Sequence, residues 1–170
     1  MAAKVDSKAF RYAAIETLLG PGWFAYGDDG VVIVETGSEA VFLRAATRAL
    51  GARPKRDDPG AAFIRRVRVA MQNGDGSVVD WSVMRPFARA VLKATSAIPR
   101  GSVCSYAEIA EAIGRPRAAR AVGTALARNP VPLLVPCHRV VRSDGSLGEY
   151  GMGGARAKRC LLAAEGAVSD

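Results

Sequence analysis

The sequence predicts a mixed α/β half followed by an α-helical half, with the change of character near residue 85. Three observations carry this prediction. Residues 9–35 hold aromatic and β-branched runs separated by glycine-containing turns, which is typical of short strands. Two segments between residues 38 and 74 carry helix start and stop signals, and from residue 85 apolar side chains recur at helical spacing. A chain of 170 residues suffices for one large domain or two small ones.

The N-terminal half is expected to place strands before and between helices. Ser38 is a typical N-cap and Gly51 a typical helix end, so a helix is predicted between them. The segments Gly20-Pro21-Gly22 and Asp28-Asp29-Gly30 are predicted turns. In order, the predicted elements are short strands within 9–35, a helix over 39–50, a loop over 53–60, a helix over 61–72 and a strand over 78–83.

The C-terminal half is expected to contain two short helices joined by a glycine turn, after a first helix over 85–97. Ser105 and Glu108 form a capping box, which starts a helix that Gly114 ends. Pro116 stands where the next helix, over 118–127, would begin. This pattern is typical of a helix-turn-helix, although paired core helices look similar. The second helix carries arginines among small residues, which would let a backbone approach a nucleic acid closely.

The excess of positive charge lies in the C-terminal half. The chain has 24 lysines and arginines against 16 acidic residues, a net charge of +8. Residues 85–170 hold 13 of the bases and 6 of the acids, whereas residues 1–84 are nearly balanced with 11 and 10. This asymmetry indicates a polyanionic partner, nucleic acid ahead of acidic lipid, although a solvated helix face gives a similar pattern.

Composition also excludes several classes of protein. No apolar run approaches the length of a membrane span, and the first residues lack the apolar stretch of a signal peptide. The three cysteines form no close pair, and the single histidine, His138, excludes a Cys2His2 site. We therefore expect a cytoplasmic protein without a disulfide framework, a metal, a nucleotide cofactor or membrane contact.

Cys137-His138-Arg139 is the most informative segment of the chain, because an apolar run leads through Pro136 directly into it. A thiolate is a strong nucleophile, and a neighbouring imidazole and guanidinium both favour that form. Adjacent residues need not touch, so a buried structural cysteine beside a hydrogen-bonded histidine remains an alternative. Cys104 and Cys160 are expected to be small packing residues.

The segment Pro136-Cys137-His138-Arg139-Val140 resembles the active-site signature of the O6-alkylguanine-DNA alkyltransferases, the methylated-DNA–protein-cysteine methyltransferases. The resemblance covers about residues 85–166. Further matching segments follow in the family's order: 98–101 (IPRG), Ser105-Tyr106, 118–123 (AARAVG), Asn129-Pro130, Gly148, Tyr150 and 161–166 (LLAAEG). The N-terminal half resembles only loosely the variable α/β domain of these proteins.

The resemblance implies a repair protein that moves an alkyl group from guanine O6 irreversibly onto its own Cys137. His138 would take the thiol proton through a bound water, and Glu165 would orient His138. Asn129 would brace the turn that holds the cysteine. Tyr106 would contact the flipped base and donate a proton to the purine ring, which makes guanine a better leaving group.

The partner implied is double-stranded DNA that contains O6-alkylguanine, bound after base flipping. Arg120 would fill the gap left in the duplex, and main-chain groups at Cys137, Val140 and Gly151 would read the guanine edge. The residues assigned to DNA or base contacts are Tyr106, Arg120, Gly123, Arg139, Val140, Tyr150, Gly151 and Lys158.

The implied fold is a ribonuclease-H-like α/β domain over residues 1–80 followed by a winged-helix-type domain over 85–170, with its recognition helix in the minor groove. A monomer is expected, with clustering along DNA left open. O4-alkylthymine is a second substrate that the sequence leaves open.

One departure from the family's pattern lies between Tyr150 and the last helix, where the chain has one additional residue. Its glycines and alanines predict a mobile loop and a pocket that accepts groups larger than methyl. The same departure weakens the assignment of Lys158.

The sequence leaves three alternative functions. The first is a lesion-binding protein without an acceptor cysteine, which the presence of Cys137 disfavours. The others are a DNA-binding regulator that uses the helix-turn-helix alone, and a cysteine hydrolase.

Overall fold

The structure, a computed structural model, describes residues 9–168. A four-stranded sheet in the order β3-β2-β1-β4 forms the N-terminal half. The first three strands are an antiparallel meander, and the short β4 pairs in parallel with β1. The strands are β1 (Arg11–Thr17), β2 (Gly20–Gly27), β3 (Gly30–Thr36) and β4 (Lys55–Arg56).

Each face of the sheet is covered by helices. The two helices of this half are α1 (Glu39–Leu50) and α2 (Ala61–Asn73). Phe42 of α1 packs on one face of the sheet, in a cluster with Tyr12 and Val32. Val67 of α2 packs on the other face, with Phe24. This second cluster continues without a break into the C-terminal half, so the two halves share one apolar core.

The C-terminal half is mainly helical. Its elements are α3 (Pro86–Ser96), β5 (Cys104–Ser105), α4 (Tyr106–Ala112), α5 (Ala119–Ala127), β6 (Val140–Val141) and α6 (Gly154–Ala164). Helices α3, α4 and α5 pack together around Val91, Ile109 and Val122, each at most 2% exposed. Strands β5 and β6 pair in parallel beside them. Within residues 9–168 no helix has the length and apolarity that a bilayer crossing needs.

The predicted caps at both ends of α1 and at the start of α4 are confirmed, whereas Pro116 does not begin α5, whose N-cap is Ala118. Helix α1 has the predicted bounds, with Ser38 accepting a hydrogen bond from the Val41 amide and Gly51 in the left-handed region at φ +74°. The capping box is also present: Ser105 Oγ accepts from the Glu108 amide at 3.2 Å, and the Ser105 amide donates to the Glu108 carboxylate at 2.6 Å.

Three predictions about the N-terminal half are wrong. The segment over 78–83 is not a strand: Val78 ends one 3₁₀ turn, residues 81–83 form another, and Val79 between them makes a single β-bridge with Val31. Asp75 and Asp80 cap the two turns by accepting hydrogen bonds from Ser77 and Ser82. Residues 20–22 begin β2 instead of forming the turn, which lies at residues 18–19. The loop over 53–60 contains β4.

Candidate active site

The turn that carries Cys137 is braced by Asn129. The Asn129 side chain donates to the Val135 carbonyl at 3.1 Å and to Cys137 Sγ at 3.3 Å, and its Oδ1 accepts from the Val131 amide at 3.0 Å. Leu133, within the same turn, has φ +72°, which is unusual for a residue with a side chain. Three hydrogen bonds from one side chain therefore hold a strained loop and the sulfur together.

Cys137 is a thiol at rest. Burial raises the pKa of Cys137, and this effect outweighs the Asn129 hydrogen bond and the charge of Lys158, which both act in the opposite direction. The side chains of His138 and Arg139 bind Glu165, so they do not favour the thiolate form of Cys137 as the sequence predicted. A base is therefore needed to remove the thiol proton.

His138 is oriented for that task by Glu165. Its Nε2 donates to Glu165 Oε1 at 3.1 Å, and both side chains are nearly buried, at 3% and 5% exposure. Burial opposes ionisation of Glu165, but the hydrogen bonds from His138 and Arg139 outweigh it and lower the pKa of Glu165 to about 2. A carboxylate that accepts from Nε2–H leaves Nδ1 as the free proton acceptor of the ring.

Two polar atoms of this region are buried without a hydrogen-bond partner among the described residues: His138 Nδ1 and the Tyr150 hydroxyl. The two rings meet edge to face, with centroids 6.3 Å apart. Buried polar atoms of this kind usually hold an ordered water. The unpartnered Nδ1 is the atom that the predicted proton transfer requires.

Lys158 is buried close to the sulfur. Its Nζ donates to the Val140 carbonyl at 2.5 Å and to the Leu147 carbonyl. Burial lowers the pKa of Lys158 to about 8, and the neighbouring Cys137 acts in the opposite direction. Lys158 and Cys137 are therefore near enough for the charge of each to affect the pKa of the other.

A cavity of about 530 Å³ opens onto Cys137. Tyr106, at the start of α4, forms one wall, and burial raises the pKa of its hydroxyl, which keeps the proton on it. Gly123 on α5 faces the Tyr106 ring, which a Cβ there would approach to 3.7 Å. Arg120 is exposed at the edge. The remaining lining residues are Ala119, Leu126, Ala127, Arg142, Gly148, Glu149, Tyr150 and Gly151.

A second cavity, of about 800 Å³, reaches Cys137 from the side of β3 and α1. Val34 and Pro132 line it together with Met152 from the loop before α6. Cys137, Tyr150 and Gly151 belong to both cavities, so the sulfur lies where the two meet.

The structure contradicts two predicted DNA contacts, those of Lys158 and Arg139. Lys158 is fully buried and its Nζ is bound to two main-chain carbonyls. The Arg139 side chain is 1% exposed and bound to Glu165, so it cannot reach a nucleic acid. Val140 is fully buried as well, and its carbonyl accepts a hydrogen bond from Lys158. Cys160 is exposed and not a packing residue, whereas Cys104 packs against the core.

Sequence reasoning missed Arg142 and Glu149, which line the cavity, and Leu133, whose φ strains the turn. No sequence signal marks Leu133, but Arg142 follows the cysteine motif and adds to the basic excess. Across residues 9–168, no three His, Cys, Asp or Glu side chains converge as a metal site would require.

Comparisons with known proteins agree on one family. Residues 86–167 match the family model described as "6-O-methylguanine DNA methyltransferase, DNA binding domain". The rat methylated-DNA–protein-cysteine methyltransferase is 52% identical over 81 residues, which are 47% of this chain and 39% of that protein. The protein of that name from Methanothermobacter thermautotrophicus is 50% identical over 93 residues, 54% of this chain and 51% of that protein. These matches span only two fifths to half of the curated relatives.

Solved structures extend the similarity to nearly the whole chain. The O6-methylguanine methyltransferase of Mycobacterium tuberculosis is 31% identical, with 95% of both chains covered and a TM-score of 0.65. A structure of the same organism's OGT in complex with DNA gives 31% identity, 92% coverage of both chains and a TM-score of 0.67. The Pyrococcus kodakaraensis O6-methylguanine-DNA methyltransferase, at 24% identity and a TM-score of 0.69, shows the shared mixed α/β fold. By its full-length similarity at this level of identity, the chain belongs to the family of the O6-methylguanine-DNA methyltransferases.

Proposed function

We propose that this protein repairs DNA by direct reversal, moving an alkyl group from guanine O6 onto Cys137 in a single turnover. The observation that carries the proposal is the Cys137 sulfur, which Asn129 braces and which faces a cavity, followed in the chain by His138, whose Nδ1 has no hydrogen-bond partner among the described residues. In the reaction a carbon–sulfur bond forms and the carbon–O6 bond breaks. The product is a thioether, which no group in the site can hydrolyse, so the protein acts once.

Proton movements complete the reaction. His138 Nδ1 accepts the thiol proton through one water, while Glu165 holds the opposite ring nitrogen. The electron pair of the broken bond enters the purine, and the Tyr106 hydroxyl donates a proton to that ring. The raised pKa of Tyr106 keeps this hydroxyl protonated until the base needs the proton.

The substrate is an O6-alkylguanine that is rotated out of duplex DNA into the cavity at Cys137. Stacking blocks the line of attack on the alkyl carbon, so flipping is required. Arg120 lies exposed at the edge of the cavity, where it would fill the gap in the duplex, and Gly123 keeps the surface of α5 close to the backbone. Gly151 and Tyr150 line the cavity, where the Gly151 main chain would read the guanine edge. The Val140 main chain would do the same from behind the cavity wall, where Lys158 binds the Val140 carbonyl.

We further propose that the predicted domain of residues 1–80 is ribonuclease-H-like and that of residues 85–170 winged-helix-type, with α5 as the recognition helix in the minor groove. Residues 1–8 and 169–170 of these ranges lie outside the described residues. The packing of α3, α4 and α5 supports the helix-turn-helix interpretation. The protein would act as a monomer on duplex DNA in the cytoplasm.

The second cavity at Cys137 supports acceptance of alkyl groups larger than methyl, because Val34, Pro132 and Met152 line it with apolar surface. Comparable rates on O6-methyl- and O6-benzylguanine duplexes are expected. A large penalty for benzyl would show that this cavity does not receive the alkyl group.

The function is tested by intact-protein mass after mixing with a duplex that carries O6-methylguanine. Wild-type protein should gain one methyl group in place of a proton, on Cys137, with no turnover beyond one equivalent. Cys137→Ser should gain nothing, whereas Cys104→Ser and Cys160→Ser, the matched controls, should behave as wild type. Tight lesion binding without transfer would identify a sensor, repeated turnover a hydrolase, and neither would leave a DNA-binding regulator.

A further inference from the structure

Arg139 joins the active site to the end of a helix in the N-terminal half. Its guanidinium donates from Nε to Glu165 Oε2 and from Nη2 to Glu165 Oε1, both at 2.8 Å. It also donates from Nη1 to the Ile98 carbonyl at 2.7 Å and from Nη2 to the Asn73 carbonyl at 3.0 Å. The two-pronged contact with Glu165 fixes the orientation of the carboxylate, which a single point charge would not do.

The end of α2 is shaped for this contact. Gly74, which follows the helix, has φ +69°, and a Cβ there would lie 2.8 Å and 2.9 Å from the two terminal nitrogens of Arg139. The carbonyls at a helix C-terminus carry partial negative charge, so they are suited to receive a guanidinium. Helix α2 therefore ends directly on the arginine that holds Glu165.

A second arginine joins the same two helix ends without touching Glu165. Arg100 donates to the Gln72 carbonyl at the end of α2 at 2.9 Å and to the Ala164 carbonyl of α6 at 2.8 Å. Arg100 thus contributes similar links between these helices and provides a natural control for any effect that is specific to Arg139.

We propose that Arg139, seated on the C-terminus of α2, is a positioning residue that keeps Glu165 ionised and His138 neutral for proton transfer from Cys137. This inference rests on the proposed function and adds a task for the N-terminal half. The charged and titratable groups that face Glu165 are His138, Arg139 and the Tyr150 hydroxyl. Those that face Cys137 are Lys158, Tyr106 and Tyr150.

Charge balance explains why the guanidinium matters. With Arg139 present, the buried set of Arg139, Glu165 and a neutral His138 has no net charge. Without it, a lone buried carboxylate is costly, so the pair of Glu165 and His138 takes up a proton. An imidazolium, which carries a proton on both ring nitrogens, cannot accept the proton of the Cys137 thiol.

The test uses the single histidine of the chain, so the NMR signal of its ring Hε1 proton can be assigned without ambiguity. At pH 7, Arg139→Met should move this signal toward its protonated position and slow methyl transfer by about 100-fold, the usual contribution of a general base. The transfer rate should recover as the pH rises. Arg139→Lys should restore part of both properties. Gly74→Ala, whose Cβ would press on both terminal nitrogens of Arg139 and on Pro136, should cause a smaller loss of the same kind.

Arg100→Met is the matched control and should leave the histidine signal and the pH profile as in wild type. The proposal is overturned if folded Arg139→Met keeps the wild-type signal and pH profile, or if Arg100→Met changes them equally. If Arg139→Met does not fold, Gly74→Ala decides between the same two outcomes. A shifted histidine signal in a protein that never transfers methyl would contradict the proposed function and leave the role of Arg139 standing.

Discussion

Glu165 is the residue at which burial and hydrogen bonding compete most directly. Its side chain is 5% exposed, a position where a carboxylate would ordinarily become protonated. Three hydrogen bonds, from His138 and from two nitrogens of Arg139, reverse that tendency. The negative charge of Glu165 is thus maintained by two specific neighbours, which are the two residues to which we assign proton transfer and positioning in the proposed reaction.

The free energy of unfolding should depend on pH through Glu165. Its pKa is about 2 when folded against 4.5 ordinarily, so the ionised form contributes on the order of 3 kcal/mol above pH 4.5. Because the folded pKa is lowered, this contribution is lost as the pH falls from 4.5 toward 2. In denaturant unfolding at several pH values, Glu165→Gln should be less stable than wild type at pH 7, and the difference should shrink over that interval. A difference that stays constant would show that the charge of Glu165 is not what stabilises the fold.

Helix α4 illustrates how an element positions a reactive side chain. It has seven residues, too few to be stable alone, and its first residue is Tyr106. The capping box at Ser105 and Glu108 satisfies two amide groups at this end and fixes where the helix begins. The direction of the Tyr106 ring into the cavity therefore depends on the cap.

Ser105→Ala should cost about 1 kcal/mol of stability and also slow methyl transfer, because the start of α4 and Tyr106 would move together. Ser38→Ala is the matched control, since Ser38 caps α1, which does not carry Tyr106. It should lower the melting temperature without changing the rate. Thermal unfolding and single-turnover kinetics of both variants check this, and equal effects on the rate would refute a positioning role for the cap of α4.

The elements that could be predicted from sequence are those with local signals. Ser38 and Gly51 delimit α1, and the Ser105 capping box starts α4, because caps and left-handed glycines act within a few residues. The prediction of a strand over 78–83 was wrong because local hydrogen bonds also act there. The side chains of Asp75 and Asp80 cap 3₁₀ turns, and these hydrogen bonds prevail over the strand propensity of the β-branched residues.

The candidate site was only partly predictable, because its contacts join distant parts of the chain. Cys137 and His138 are visible as adjacent residues in a motif, yet adjacency suggests that Arg139 faces the same way. Arg139 instead contacts Glu165, Ile98 and Asn73, which are 26, 41 and 66 residues away in sequence. No local sequence pattern predicts contacts over such separations. Only the structure shows that Arg139 forms an internal ion pair and not the predicted DNA contact.

At the scale of the whole molecule, the N-terminal half holds the C-terminal half at both sides of the cysteine turn. The Val34 amide of β3 donates to the Pro130 carbonyl at 2.8 Å, before the turn. After the turn, the Asn73 carbonyl accepts from Arg139, and the neighbouring Gln72 carbonyl accepts from Arg100. The N-terminal half thus supports the turn that carries Cys137, while the basic excess lies in residues 85–170.

Binding to duplex DNA should weaken steeply with salt, because lysines and arginines that approach phosphates release counterions.

Arg120, exposed beside the cavity on the half that carries 13 bases against 6 acids, should matter beyond its charge. Arg120→Ala should slow methyl transfer from a duplex far more than transfer from free O6-methylguanine, since only the duplex needs the gap filled after flipping. Arg66→Ala removes the same charge from the exposed face of α2 and is the matched control, expected to leave both rates near wild type. Both predictions are checked by single-turnover rates on the two substrates over a range of salt concentrations. Equal losses on both substrates for Arg120→Ala would show that Arg120 acts on the reaction itself. A rate on duplex DNA that does not change with salt would exclude electrostatic docking through this half.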